Sequence, residues 1–222
     1  LALGASHVLS NSSALSVNGA SAVFDLGSFS DAVSGVSIGS NGGSITSSTG
    51  TLTGSSYTFS PGSGNTVSVT ARLAGNAALT HDGAGKTTLI GVNTRTGNTS
   101  LSAGILELGS SGALNSSDGT ISFTGGALRF SAANTTDYSA RFSTAASQAY
   151  KIDTNGQSVM LATALTASGG SLSKLGVGTL TLSGANTYTG STTITQGTLT
   201  VSGSLADTNQ VNVASGATYR VN

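Results

Sequence analysis

The stretch SLSKLGVGTLTLSGANTYTGSTTITQGTLTVSG, residues 171–203, decides the fold, because its glycines, threonines and aliphatic pulses return upstream at one fixed offset. Moved back by 93 residues, it meets LTHDGAGKTTLIGVNTRTGNTSLSAGILEL, residues 79–108. Residues 70–108 align with 163–201 without a gap, and 16 of 39 positions are identical. Gly83/Gly176, Gly91/Gly184, Asn93/Asn186, Gly97/Gly190, Gly104/Gly197 and Leu106/Leu199 are among them. This is a repeat protein with two long copies.

Inside each copy runs a shorter beat of triplets whose outer members are aliphatic, aromatic or β-branched. In the downstream copy and beyond they are Leu180/Leu182, Thr192/Ile194, Leu199/Val201, Val211/Val213 and Tyr219/Val221. Their first members are spaced 12, 7, 12 and 8 apart, so one full cycle has a length of 19 to 20. Upstream the same beat reads Thr99/Leu101, Leu106/Leu108, Ile121/Phe123 and Leu128/Phe130, with one segment stretched by about three residues, as expected of a loop insertion on one side of a coil.

A two-residue alternation held for three or four residues means short strands with one apolar face. A cycle of about 20 residues returns the chain to the same place each time, which predicts an all-β parallel β-solenoid. Each coil stacks on the last at about 4.8 Å, and no coil buries its apolar face alone. Roughly eleven coils would give a rod on the order of 50 Å. Tandem immunoglobulin-like sandwiches would also suit a 93-residue period, but they do not require the sub-period. One solenoid segment over residues 1–222 is expected.

Composition agrees, with 32 Gly, one Pro, no Cys, no Trp and 7% charged residues. A thin coil needs only a narrow axial stack of Leu, Val, Ile and Phe, so 37% hydrophobic content suffices. Eight basic and eight acidic residues cancel, and the basic ones form no run, which argues against a nucleic-acid partner. No apolar run reaches the roughly 18 to 20 residues of a bilayer span, so no membrane insertion is expected. Absence of cysteine fits a chain that crosses an envelope unfolded, where early disulfides would obstruct passage. Leu1-Ala-Leu-Gly4 matches Leu106-Glu-Leu-Gly109 and Tyr219-Arg-Val221 ends in a strand, so a segment of a longer repeat protein is expected, with further repeats or end-to-end self-association at its open edges.

The segments KLGVGTLTLSGANTYTGSTTITQGTLTVSG (174–203) and GAGKTTLIGVNTRTGNTSLSAGILELG (83–109) resemble the autotransporter-associated β-strand repeat of bacterial passenger domains. The downstream copy carries the G-x-G-T-L-T-L-x-G-x-N-T-Y-T-G core at 176–190 and the T-T-I-x-x-G-T-L portion at 192–199. Upstream, Lys86, Thr87 and Arg95 replace Thr179, Leu180 and Tyr188, so the first strand there should pack less well. The resemblance implies a right-handed parallel β-helix, export from a Gram-negative-type cell, and a role as stalk, spacer or adhesive scaffold. It transfers no catalytic residues and no cofactor.

Several motifs look chemical in isolation. Gly83-Ala-Gly-Lys-Thr-Thr88 resembles a phosphate loop, but Thr80 stands where its first glycine belongs and no helix pattern follows, so a turn entering a strand is expected. Gly35-Val-Ser-Ile-Gly39 fits a nucleophile elbow around Ser37, yet the required helix is missing and a small turn residue is the plainer reading. His7 and His81 are isolated and read as surface residues rather than metal ligands. Without a G-G-x-G-x-D run, calcium is not implied.

β-Helix enzymes that cut polysaccharides use paired carboxylates or a basic residue beside a uronate. Asp25, Asp31, Asp82, Glu107, Asp118, Asp137, Asp153 and Asp207 are the whole acidic supply. Asp137 with Arg141, and Lys151 with Asp153, are the only local groups. Lys151 and Asp153 at i, i+2 would share a strand face and pair there. The eleven aromatics are expected to stack in the core, and Asn93 and Asn186, each in G-x-N-T-x-T-G, to serve the bend between strands.

Two functions remain at the level of sequence. The first is a non-enzymatic, extracellular structural solenoid of a bacterial surface protein, with a host or surface glycan as ligand if it is an adhesin. Its specificity would then lie in the longer segments 109–121 or 130–160. The alternative is a polysaccharide-active β-helix lyase or hydrolase using Asp137, Lys151 and Asp153.

Overall fold

The backbone winds as a parallel β-solenoid of ten coils, seen in a computed structural model that describes residues 1–115, 119–206 and 210–222. One sheet runs the length of the molecule with one strand per coil, from Val23–Asp25 through Lys86–Leu89, Ala127–Arg129 and Ala149–Asp153 to Val211–Val213. A six-stranded sheet from Ala14–Val17 to Ile121–Phe123 forms a second face of the first coils. A four-stranded sheet from Ser158–Leu161 to Thr218–Val221 forms a second face of the last ones. The three strands Asp31–Val33, Thr51–Gly54 and Arg72–Ala74 close a third side near the start. Among the described residues the only helix is the 3-10 turn Ser139–Arg141.

Each triplet read from the sequence falls on a strand, with Phe130 one residue past the end of Ala127–Arg129, and within the two repeat copies its outer members turn inward. Leu180 and Leu182 of Thr179–Leu182 are buried, as are Thr192 and Ile194 of Thr192–Ile194. Register then stacks like on like. Val67, Thr87, Leu106, Leu128, Ile152, Lys174 and Ile194 form one inward column. Val17, Ile38, Phe59, His81, Leu101 and Phe123 form another. Burying each large aliphatic or aromatic side chain contributes about 1.5–3 kcal/mol, so stability accumulates coil by coil. The sandwich alternative has no place in this topology.

Coil length departs from the expected beat outside the repeat copies. Lys86 pairs with Ile105 and Thr192 with Val211, each a step of 19, whereas Ala127 pairs with Lys151, a step of 24. Ten coils therefore form instead of eleven. The stretch expected after Leu108 is a 22-residue step from Thr99 to Ile121, and residues 116–118 within it lie outside the described residues.

The two copies do not occupy the same faces. Leu79–His81 belongs to the six-stranded sheet, but its counterpart, Leu172 to Lys174 within Ser171–Leu175, belongs to the long one. Four coil steps along the long sheet carry Lys86 to Ser173, a shift of 87 in numbering. That is six short of 93, about the spacing of neighbouring faces within a coil. At the changeover Phe123, Phe142 and Tyr150 pack ring on ring, with centroids 4.9 to 6.0 Å apart, and cover the end of the six-stranded sheet.

Nine of the eleven aromatics are buried, while Phe29 and Tyr219 are partly so. Ser37 sits within the strand Gly35–Ile38, paired in register with Ser16 and Thr58, and not in a turn as its motif suggested. Lys86 opens a strand after the Gly83–Gly85 corner, as expected. No described helix is long and apolar enough to cross a membrane.

Candidate functional site

The six described carboxylates all have partners, and the partners are structural. Asp25 accepts from the Gly27 N–H and the Thr46 hydroxyl, and buried Asp31 accepts from the Val8, Leu9 and Ala32 N–H groups. Asp82 takes a hydrogen bond from Ser60. Asp137 accepts from Ser139 N–H at 2.8 Å and Ala162 N–H at 2.8 Å, bracing the 3-10 turn against the next coil. Asp118 and Asp207 lie outside the described residues.

Glu107, Arg129 and Asp153 occupy one register position on three successive coils, on the outer side of the long sheet. Arg129 Nε donates to Asp153 Oδ2 at 2.7 Å, Arg129 Nη1 lies 3.6 Å from Glu107 Oε2, and Lys86 Nζ donates to that oxygen at 3.1 Å. The result is an alternating ladder of charge across four coils. Expected to pair with Asp153, Lys151 instead donates to the Gly125 carbonyl at 2.7 Å. Adjacent coils offer a nearer partner for each.

Asp137 is brought together with neither. It lines a cleft of about 430 Å³ with Val92, Leu114, Tyr138 and Ala140. Arg141 crosses over the Tyr138 ring, 5.6 Å from its centroid, and donates to the Gly119 and Asn115 carbonyls. Among the described residues no three His, Asp or Glu side chains converge to hold a metal ion.

Two stretches of the chain, residues 79–108 and 172–201, match the passenger-associated-transport-repeat. Both stretches are similar to that repeat. No curated protein and no solved structure matches the chain. Within each matched stretch the shared asparagine and several shared glycines meet the neighbouring coils. Asn93 accepts the Leu73 N–H at 2.8 Å and donates to the Ala113 carbonyl at 2.7 Å, spanning three coils. Asn186 does the same between the Leu165 N–H and the Ser204 carbonyl, at 2.9 and 3.0 Å. These asparagines join coils; serving a bend is the lesser part of their work.

Arg95 and Tyr188, equivalent and dissimilar, are both fully buried. Arg95 Nη2 donates to the Thr99 hydroxyl, and Tyr188 bonds the Thr192 hydroxyl, again an equivalent position. The upstream copy thus packs better there than its sequence suggested, since a guanidinium replaces the phenol. Burial pushes the Tyr188 phenol up to about 12. At Thr87, however, the expected weakness is present: the hydroxyl is buried in the aliphatic column without a partner among the described residues.

His81 and Lys174 are a further equivalent pair, and neither is on the surface. His81 Nδ1 hydrogen-bonds the Ala103 carbonyl at 2.9 Å, and Lys174 Nζ donates to the Gln196 carbonyl at 3.1 Å as well as to those of Leu175 and Gly176. Ala103 and Gln196 are themselves equivalent across the 93-residue offset. A nitrogen at this position pins the same corner of the next coil in both copies. Burial lowers the His81 pKa from 6.5, against the raising effects of the Ala103 bond and Asp82. It lowers Lys174 from 10.5 to about 8, with Asp153 opposing.

Both groups therefore bind protons more weakly folded than unfolded, and stability rises with pH across each window. The penalty from Lys174 is full below about pH 8 and gone above 10.5. The penalty from His81 is absent above 6.5 and grows as pH falls below it. Tyr57, Tyr150 and Tyr188, whose burial raises them above 10.0, oppose this only above that value. Melting temperature should climb from about pH 8 to 10 in the natural chain and lose that slope in Lys174→Met; an unchanged slope in the variant would remove Lys174 as the cause.

Proposed function

We propose that this chain is a non-enzymatic structural segment of an exported bacterial passenger, acting extracellularly or at the cell surface as a stalk or adhesive scaffold. One observation carries the reading: residues shared by the two repeat copies are spent on joining coils. Asn93/Asn186 and Gly104/Gly197 meet neighbouring coils. The three candidates for polysaccharide cleavage support it too, because Asp137, Lys151 and Asp153 are each engaged with a different structural partner. The repeat's name ties it to passenger transport, which is the basis for placing the segment outside the cell.

Incubation with neutral and uronate-containing polysaccharides should produce no new chain ends. Cleavage that disappears in Lys151→Ala or Asp153→Ala would replace this reading with the enzymatic one.

A further inference from the structure

Beside the ladder, on another side of the solenoid, two hollows adjoin at Val92. The first, of about 240 Å³, is lined by Ser47, Ser48, Thr49, Thr70, Arg72 and Ile90. The second is the cleft of about 430 Å³ that ends at Asp137 and Tyr138. Hydrogen bonds from Leu73 N–H to Asn93, from Asn93 N–H to Gly112 O and from Tyr138 to Leu114 O place Arg72, Val92, Gly112 and Asp137 on successive coils. From Arg72 to Asp137 the groove spans three coil steps, about 14 Å along the axis, with Ser47, Ser48 and Thr49 on the coil before Arg72.

Its chemistry is graded from end to end. At one end Arg72 is exposed, and no described residue holds its guanidinium by a hydrogen bond or ion pair. Hydroxyl-bearing side chains surround it. In the middle Ile90 and Val92 stand 40% and 56% exposed, an apolar step in a surface otherwise rich in Ser and Thr. At the far end Asp137 already accepts two N–H groups but has acceptor capacity left, since a carboxylate offers about four lone-pair sites.

We propose that this groove binds an acidic oligosaccharide, with a sugar carboxylate on Arg72, ring C–H faces over Ile90 and Val92, and sugar hydroxyls donating to Asp137. An extended acidic peptide fits less well, because strand addition needs unpaired backbone. Here the Ile90 and Gly91 N–H groups donate to Val69 O, and Asn93 N–H donates to Gly112 O. These N–H groups are spent on stacking, so side chains must do most of the recognising. The proposal deepens the scaffold reading by giving it a ligand class, and it rests on that reading only for the fold. Loss of binding would leave a passive stalk, whereas polysaccharide cleavage would overturn the scaffold itself.

Titration calorimetry with an oligoglucuronate, a neutral glucan oligomer of equal length and a poly-aspartate peptide tests it. The oligoglucuronate should bind most tightly. Arg72→Ala should weaken it at least about tenfold while leaving the neutral oligomer unchanged, and Val92→Asp should weaken both. Backbone amide shifts of the unaltered chain, recorded with oligoglucuronate, should cluster at residues 47–49, 72, 90–92 and 137, which keeps the test open if a variant misfolds. No oligoglucuronate binding at millimolar concentration, equal binding of poly-aspartate, or shifts centred elsewhere would each overturn the assignment.

Discussion

Asn93→Ala is expected to lower stability by about 3 kcal/mol, far more than the loss of an ordinary surface amide. The side chain is 3% exposed and holds the Leu73 N–H on one side and the Ala113 carbonyl on the other. Alanine leaves a buried N–H without its acceptor, at about 1–3 kcal/mol, and removes a second bond and the volume that separated the coils. Asn186→Ala should cost at least as much, since Asn186 bonds Leu165, Gly184 and Ser204. The two losses should add, because the sites share no partner. Asn76→Ala is the control: Asn76 is exposed and accepts from the Thr96 hydroxyl, so a change within about 0.5 kcal/mol is expected. Urea denaturation reads all three. A loss at Asn93 no larger than at Asn76 would mean that the coils are not joined there.

Gly104→Ala should be among the most damaging single-methyl changes, at about 2–5 kcal/mol. Gly104 has φ +56°, and a Cβ there would lie 2.2 Å from the carbonyl oxygens of both Gly83 and Gly85 on the preceding coil. Both obstacles are backbone, so relief requires the coils to part at a corner that stacking holds closed. Gly156 separates strain from crowding. Its φ is +85°, but nothing lies within 4 Å of where a Cβ would stand, so Gly156→Ala should cost only the conformational term of about 1–2 kcal/mol. Equal losses at the two sites would show that close coil approach contributes nothing at Gly104.

The fold is legible because the inward-facing triplets repeat with a beat that no compact globule needs. Leu180/Leu182, Thr192/Ile194 and Leu199/Val201 announce their strands directly. The faces they occupy are not legible. Two copies 93 residues apart, laid over coil steps of unequal length, land on different faces, and only the pairings between coils reveal the slip. The same irregularity hides the charge ladder, since Glu107, Arg129 and Asp153 align only once the 22- and 24-residue steps are known.

His81 and Lys174 escape a reading of the sequence for a simpler reason: charge-bearing residues are mostly exposed, and the burial of these two depends on carbonyls supplied by the next coil's corner. Arg95 is the same case, its guanidinium standing in for the Tyr188 phenol. Comparing the copies position by position holds the missing signal, because His81/Lys174 and Arg95/Tyr188 each face equivalent partners. The groove between Arg72 and Asp137 has no sequence signature, being assembled from single residues contributed by successive coils.

Register between coils is the claim on which the rest depends, and the chain's lack of cysteine makes it directly measurable. Ser37, Thr58 and Thr80 form one outward column, paired Ser37 with Thr58 and Thr58 with Thr80. Neighbours about 4.8 Å apart suit a disulfide, whereas residues two coils apart exceed the roughly 7 Å limit between Cα atoms. Under mild oxidation the double variant Ser37→Cys/Thr58→Cys should close a disulfide within the monomer, and Ser37→Cys/Thr80→Cys should not. Closure of the second pair, or failure of the first in a folded chain, would contradict the stacked-coil account.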